Sequence, residues 1–222
     1  MNIPTWPPDN VAQTTSSPSR AFVACELGVL AGVLLLYVIA RFFIRLHIGF
    51  IVVVAALALV YGLWRVRRCG RVVLRFWGLR LDNLWASTAV VGAGSCIAAA
   101  AIVLYWWLGR SRPTLPGSFY VSLPLYPAWG IVQQFLFQSL FHRDLQILTG
   151  RRVIPCLLTA LAFGLLHSVT PTLAVATGFA GLFWSAVFTW RPNIIVLGIS
   201  HGLLGGMFYY LVVGEDVVKS IL

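Results

Sequence analysis

The chain has 222 residues, of which 59% are hydrophobic and only 10% are charged, whereas a typical soluble domain carries about 25% charged residues. The 16 Lys and Arg outnumber the 6 Asp and Glu, so the acids are too few to cover a soluble surface. This composition excludes a disordered chain and predicts an all-α, polytopic transmembrane bundle of about seven to eight helices. Because arginine in the loops of such a protein faces anionic lipid, we expect membrane lipid and no nucleic acid as a partner.

Residues 1–20 form a polar tail rich in Pro, Ser and Thr, and residues 21–215 are predicted to form a single transmembrane domain. Apolar segments follow the tail in chain order at residues 21–40, 48–64, 86–109, 120–142, 153–168, 169–190 and 192–213. Residues 72–85 mix Arg with Trp, Leu and Val, which predicts a helix lying in the membrane interface. The fifth segment is short for a full span, and almost no loop separates it from the sixth.

The basic residues divide unequally between the two predicted sides of the membrane. The side of the N-terminus carries 11 of them: Arg20, Arg65, Arg67, Arg68, Arg71, Arg75, Arg80, Arg143, Arg151, Arg152 and Arg191. The other side carries 5: Arg41, Arg45, Arg110, Arg112 and Lys219. The positive-inside rule therefore predicts a multi-pass protein of the inner cell membrane with a cytoplasmic N-terminus. A re-entrant fifth or sixth segment would invert everything after it.

Polar side chains occur inside three apolar segments, although the bilayer has no water to satisfy them. They are Gln133, Gln134 and Gln138 in the fourth segment, His167 in the fifth and His201 in the seventh. Gln134, Gln138 and His142 follow one another at four-residue spacing, which predicts a shared helical face. Any single one of them can form an ordinary interhelical hydrogen bond. Three helices that contribute polar groups at similar depth predict one buried polar pocket.

Other sequence features have simpler interpretations. Gly198, Gly202 and Gly206 form a ribbon of small residues, which predicts close helix packing. The run GISHG around Ser200 matches the nucleophile-elbow pattern, but that pattern requires a strand followed by a turn and a helix, so we interpret it as a chance match. Glu26 is the only acid inside a predicted span, and we expect a hydrogen-bonded role for it rather than a place in the pocket.

Three motifs in order resemble those of a known family. The run QQFLFQ, Phe163 followed four residues later by His167, and His201 followed four residues later by Gly205 are similar to the motifs E-E-x-x-x-R, F-x-x-x-H and H-x-x-x-N. These belong to the CPBP family of CAAX proteases and bacteriocin-processing enzymes, also called Abi. The resemblance covers roughly residues 72–210 and places the motifs within residues 120–210.

The resemblance implies an intramembrane endopeptidase of the glutamate type that uses no metal and no cofactor. In the family, the first Glu and a His activate water, and the last motif stabilises the oxyanion. By position, the catalytic residues implied here are Gln133, Gln134, Gln138, His167 and His201, with Phe163 and Gly205 next to the substrate. The implied partner is a membrane-embedded or C-terminal-tail peptide.

The departures from the family pattern affect its chemistry. Both Glu are Gln, the Arg is Gln138 and the Asn is Gly205. A carboxamide has no basic site near neutral pH, and general-base catalysis is worth about 10²–10⁴-fold. A lost oxyanion donor costs a further 10²–10³-fold or so. Because the losses remove a negative and a positive charge together, the sequence retains a neutral polar cavity.

Several functions remain open at this point. The first is an endopeptidase homologue whose hydrolysis is weak or lost, with a histidine as a weaker base. The alternative is a non-catalytic membrane protein that binds a peptide or a membrane-protein partner in the former active-site cavity. A transporter is disfavoured because intramembrane charges and repeat symmetry are missing. A rhomboid-type serine protease that uses Ser200 lacks the expected histidine run.

Overall fold

The computed structural model describes residues 18–43, 47–109, 115–168 and 170–216, with side chains omitted over residues 40–48. Most of the described chain is helical. The α-helices are α1 (Arg20–Phe43), α2 (His47–Cys69), α3 (Val72–Phe76), α4 (Leu84–Leu108), α5 (Gly117–Gln134), α6 (Arg143–Thr149), α7 (Val153–Leu166), α8 (Pro171–Trp190) and α9 (Ile194–Phe208). Two π-helical segments, Phe135–His142 and Tyr209–Val213, extend α5 and α9. Most of the predicted polar tail, residues 1–17, lies outside the described residues.

The helices confirm the predicted polytopic bundle. Within the described chain, five stretches are long and apolar enough to cross a membrane: Arg20–Ile39, Gly49–Cys69, Leu84–Leu108, Pro171–Trp190 and Ile194–Val213. The predicted fourth segment is α5 with its π-helical extension, and the short fifth segment is α7, which has 14 residues. Each of the seven predicted apolar segments therefore corresponds to a helix, and the protein is a multi-pass membrane protein.

Glycines bring α5 and α9 into backbone contact at the centre of the bundle. A Cβ on Gly130 would lie 2.8 Å from the backbone nitrogen of Gly202, and a Cβ on Gly198 would lie 2.5 Å from the Cα of Ile131. A Cβ on Gly202 would clash with the backbone of Pro127. Only glycine permits this approach, so the predicted packing role of the ribbon is confirmed.

Helices α7 and α8 form a hairpin whose two ends meet. The Sγ of Cys156, near the start of α7, lies 3.7 Å from the Oγ1 of Thr189, near the end of α8. Gly164 supports the close packing, because a Cβ there would lie 2.9 Å from the carbonyl oxygen of Ala174. The hairpin therefore returns the chain to the end of the bundle at which α7 began, and α9 starts at that end.

One end of the bundle, here called the N-terminal face, collects residues 70–83, 150–152 and 191–193 together with Arg20. The Arg20 guanidinium donates to the carbonyl of Leu148 over 2.6 Å. The Asn193 amide donates to the carbonyl of Arg80 over 2.9 Å and to Oδ1 of Asn83 over 3.0 Å. The basic residues assigned to one side thus lie on one face, whereas the five assigned to the other side have no described side chains.

The interfacial element is shorter than the sequence predicts. Of the expected helix over residues 72–85, only the five residues of α3 form a separate helix; turns follow them, and α4 begins at Leu84. Gly78 has φ +82°, a left-handed conformation that ends the helix, and its carbonyl accepts a hydrogen bond from the backbone N–H of Ile194 over 3.0 Å. This contact with the start of α9 fixes the turn to the bundle.

Candidate functional site

The paired glutamines face different surroundings at the end of α5. Gln133 lines a cavity in the bundle, and its residue is 9% exposed. Gln134 is fully buried, and its Nε2 donates to Nδ1 of His201 over 3.4 Å. The Oε1 atom of Gln134 is buried with no hydrogen-bond partner among the described residues. Gln133 therefore borders the cavity directly, whereas Gln134 lies behind His201.

Gln138 does not line the cavity. It is fully buried, and its Nε2 donates to Oγ of Ser185 on α8 over 3.1 Å. His142, four residues later, is 2.9 Å from Thr189 of α8 through Nε2 and 3.3 Å from Thr159 of α7 through Nδ1. The π-helical segment, with its wider turns, distributes residues that we expected on one face among α9, α8 and α7.

His167 lies just after the end of α7 and reaches the cavity. Its Nδ1–H donates to the carbonyl of Phe163 over 2.8 Å, which makes Nε2 the acceptor nitrogen of a neutral ring. The ring of Phe163 lies 4.6 Å from that of His167. Phe163 itself is buried in the core and is not among the lining residues of the cavity, and its ring packs against that of His167.

His201 forms the other side of the same polar region. Its ring centroid lies 6.3 Å from that of His167 and 4.9 Å from that of Trp184. Because the Gln134 amide donates to Nδ1, the N–H of the neutral imidazole lies on Nε2. The structure thus brings Gln133, His167 and His201 together at one cavity, with Gln134 behind them.

The cavity has a volume of about 400 Å³ and an apolar wall. Side chains of α1, α2, α4, α5, α8 and α9 form the wall, including Leu34, Ile51, Ile102, Leu173 and Leu204. Gly205 also lines it, and a Cβ at that position would meet Tyr126 at an ordinary 3.6 Å. An apolar cavity with a small polar region is the usual form of a small-molecule site.

The cavity extends away from the N-terminal face. Its lining includes Tyr37 and Phe50, near the ends of α1 and α2 remote from that face, and continues to Phe208 and Glu215. An opening towards the cytoplasmic half, which the depth of the polar residues along their helices predicts, stays a prediction.

Some lining residues escaped sequence reasoning. Trp184 packs on His201 and donates from Nε1 to Oγ of Ser200 over 3.1 Å, but it lies in an apolar segment without a distinguishing pattern. Glu215 lies two residues after the end of the last predicted apolar segment. This position is the sequence feature that could have indicated a place near the cavity. Ser200 lies within helix α9, where its Oγ is 2.7 Å from Oγ of Ser95 on α4. The elbow pattern around it, which requires a strand before the turn, is therefore a chance match.

Glu26 has no place in the cavity lining. Its carboxylate accepts a hydrogen bond from the hydroxyl of Tyr61 over 2.5 Å, which ties α1 to α2. The expected hydrogen-bonded role is therefore confirmed.

Comparison with known proteins agrees with the motifs. Residues 115–207 match a family model described as Type II CAAX prenyl endopeptidase Rce1-like. This segment contains α5 to α8 and most of α9, and with them the paired glutamines and both cavity histidines. No curated protein and no solved structure matches the chain. The match confirms the resemblance to the CAAX proteases, and residues 115–207 are similar to the Rce1-like CAAX prenyl endopeptidases.

Proposed function

We propose that this CAAX-protease-like membrane protein binds a C-terminal peptide that carries an isoprenoid or similar apolar chain, and hydrolyses it weakly or not at all. The composition of the cavity carries the proposal: a long apolar wall meets a polar region made by Gln133, His167 and His201. The apolar wall is suited to the isoprenoid or similar apolar chain, and the polar region is suited to the peptide to which that group is attached. The volume of about 400 Å³ lies within the range of about 300–1,000 Å³ for such sites.

The chemistry of the polar region favours binding over hydrolysis. Among the described lining residues the only carboxylate is Glu215, which follows His201 by 14 residues and lies beyond the end of the π-helical segment that extends α9. The Gln133 carboxamide cannot take a proton from water. Any remaining hydrolysis would depend on Nε2 of His167, a weaker base than a carboxylate paired with it.

A binding experiment separates the two activities. The purified protein is mixed with a fluorescent peptide whose C-terminal cysteine carries a farnesyl thioether, and both the bound fraction and the cleaved product are measured. We expect saturable binding with little product, and at least tenfold weaker binding of the same peptide without the farnesyl group. Rapid cleavage by the wild-type protein that disappears in His167→Ala would show a working histidine-based site and refute the proposal.

A matched pair of glycine variants tests where the peptide binds. Gly205→Phe places a ring in the cavity and should abolish binding, because a side chain at Gly205 meets only ordinary contacts with its neighbours. Gly92→Phe adds the same ring on α4, where a Cβ meets nothing within 4 Å, outside the cavity lining. Equal binding by the two variants would place the peptide elsewhere.

We also propose that the N-terminus is cytoplasmic and that the protein lies in the inner cell membrane. The 11-to-5 distribution of basic residues supports this, as does their collection on the N-terminal face. A periplasm-dependent reporter should be inactive when fused to the N-terminus and active when fused after residue 112. The reverse result would invert the orientation.

A further inference from the structure

An arginine on the N-terminal face is held between two aromatic rings. The Cζ atom of Arg143 lies 4.8 Å from the ring centroid of Phe188 and 5.1 Å from that of Phe76. Its Nε atom is buried without a hydrogen-bond partner among the described residues, while the residue as a whole remains partly exposed. The two rings therefore fix the plane of the guanidinium, in a residue that is partly exposed at the N-terminal face.

The charges around Arg143 are not balanced. Within the described chain, the only acid–base ion pairs join Asp82 to Arg75, at 2.8 Å, and to Arg80. Arg80 lies close enough to Arg143 to act on it electrostatically. Asp82 thus pairs with two guanidinium groups, and Arg143 adds a third positive charge that forms no ion pair among the described residues. Burial lowers the pKa of Arg143 to about 10, which leaves it charged at neutral pH.

The surrounding backbone is fixed, so the group of arginines has a definite geometry. Gly78 stands between Phe76 and Arg80 in the chain, and a Cβ on it would lie 3.0 Å from the ring of Phe188. The Asn193 amide holds the carbonyl of Arg80. Asp144, the residue next to Arg143, acts electrostatically with Glu26 and Arg65 of α1 and α2, outside the Asp82 group.

We propose that Arg143, together with Arg80, binds the phosphate of an anionic lipid headgroup at the N-terminal face. The planar fork of arginine matches phosphate oxygens, and the two rings pre-orient it. α3 and the turn after it join two membrane-spanning helices, α2 and α4, so the group lies where lipid headgroups are found. An anion there would neutralise charge that the described protein groups leave uncompensated.

The test uses the full-length protein in nanodiscs of phosphatidylcholine with dansyl-labelled phosphatidylglycerol. Energy transfer from tryptophan reports binding. Arg143→Gln should weaken the binding of phosphatidylglycerol about tenfold, because it removes one charge-assisted, bidentate contact. Arg143→Lys keeps the charge but loses the fork and should weaken binding about threefold. Arg80→Gln should also weaken it, and it serves as a second variant if Arg143→Gln does not fold.

The control is Arg67→Gln, which removes the same charge from an exposed position at the end of α2. It should weaken binding less than threefold, because a solvated charge is screened. Equal losses in Arg67→Gln and Arg143→Gln would show diffuse attraction and overturn the site. Equal affinity for phosphatidylcholine, or displacement by inorganic phosphate as effective as by the lipid, would overturn the assignment to an anionic lipid.

Discussion

Restoring glutamate at Gln133 is expected to give little hydrolysis by itself. Gln133 is 9% exposed at the polar region of the cavity, and no Lys or Arg is found among the described lining residues. A lone carboxyl group there loses its hydration without gaining a partner, and it stays protonated near neutral pH. Gln133→Glu should therefore raise the rate of hydrolysis less than about tenfold, whereas a working general base raises it about 10²–10⁴-fold.

The double variant Gln133→Glu, Gln138→Arg should exceed the sum of the single variants. Gln138 is buried one turn beyond Gln133 and donates to Ser185, so an arginine there can keep that hydrogen bond and add the missing charge. The initial rate of cleavage of a farnesylated peptide measures the gain. The rate of the single variant should rise with pH as its carboxyl group ionises, whereas the double variant should be active at neutral pH.

Gly205→Asn in the double variant should add a further increment, because it returns an oxyanion donor at a position with room for a side chain. His167→Ala in the same background is the control, and it should abolish the recovered rate. Full recovery by Gln133→Glu alone would refute the argument that the charge needs a partner. An unchanged rate in His167→Ala would remove His167 from the reaction.

Three further variants test stability by thermal unfolding in detergent. Gly202→Val should destabilise the protein by about 3 kcal/mol, since its side chain meets the backbone of Pro127, whereas Gly205→Val should change little. Burial raises the pKa of Asp144 from 3.8 to about 8, with Glu26 adding to the increase, so the folded state binds a proton that the unfolded state releases between those pH values. Stability should fall as pH rises through this window, and Asp144→Asn should remove the fall; identical pH profiles would refute the assignment.

Much of the fold follows from hydrophobic length alone. Within the bilayer a spanning segment must form its backbone hydrogen bonds internally, so each apolar segment was predicted to be a helix. The ends agree closely: the segment predicted at residues 169–190 is α8, which covers Pro171–Trp190. The glycine ribbon likewise predicted the contact of α9, because only glycine lets two backbones touch. Both features are local properties of one segment, which is why one sequence is enough to predict them.

The features that sequence spacing did not predict depend on contacts with neighbouring helices. The π-helical segment separates Gln138 and His142 from the cavity, and periodic spacing assumes a regular α-helix. The place of Trp184 on His201 depends on how α8 packs against α9. The short α3 ends at Gly78 because that residue meets α9, a contact between residues more than a hundred positions apart. Sequence spacing carries no information about such contacts.

The structure also explains how the cavity could survive the loss of its charges. The contact between α5 and α9 is made by backbone at Gly130, Gly198 and Gly202, so it needs no ion pair to hold the two helices together. Gln134 still donates to His201, which keeps that ring in place without a negative charge. A buried ion pair that loses one partner is costly, whereas the loss of both leaves neutral amides that adjacent hydroxyl and imidazole groups can satisfy in part. The architecture of the cavity thus rests on residues other than Gln133 and Gln138, so under the proposed function their carboxamides would alter hydrolysis and leave the cavity in place.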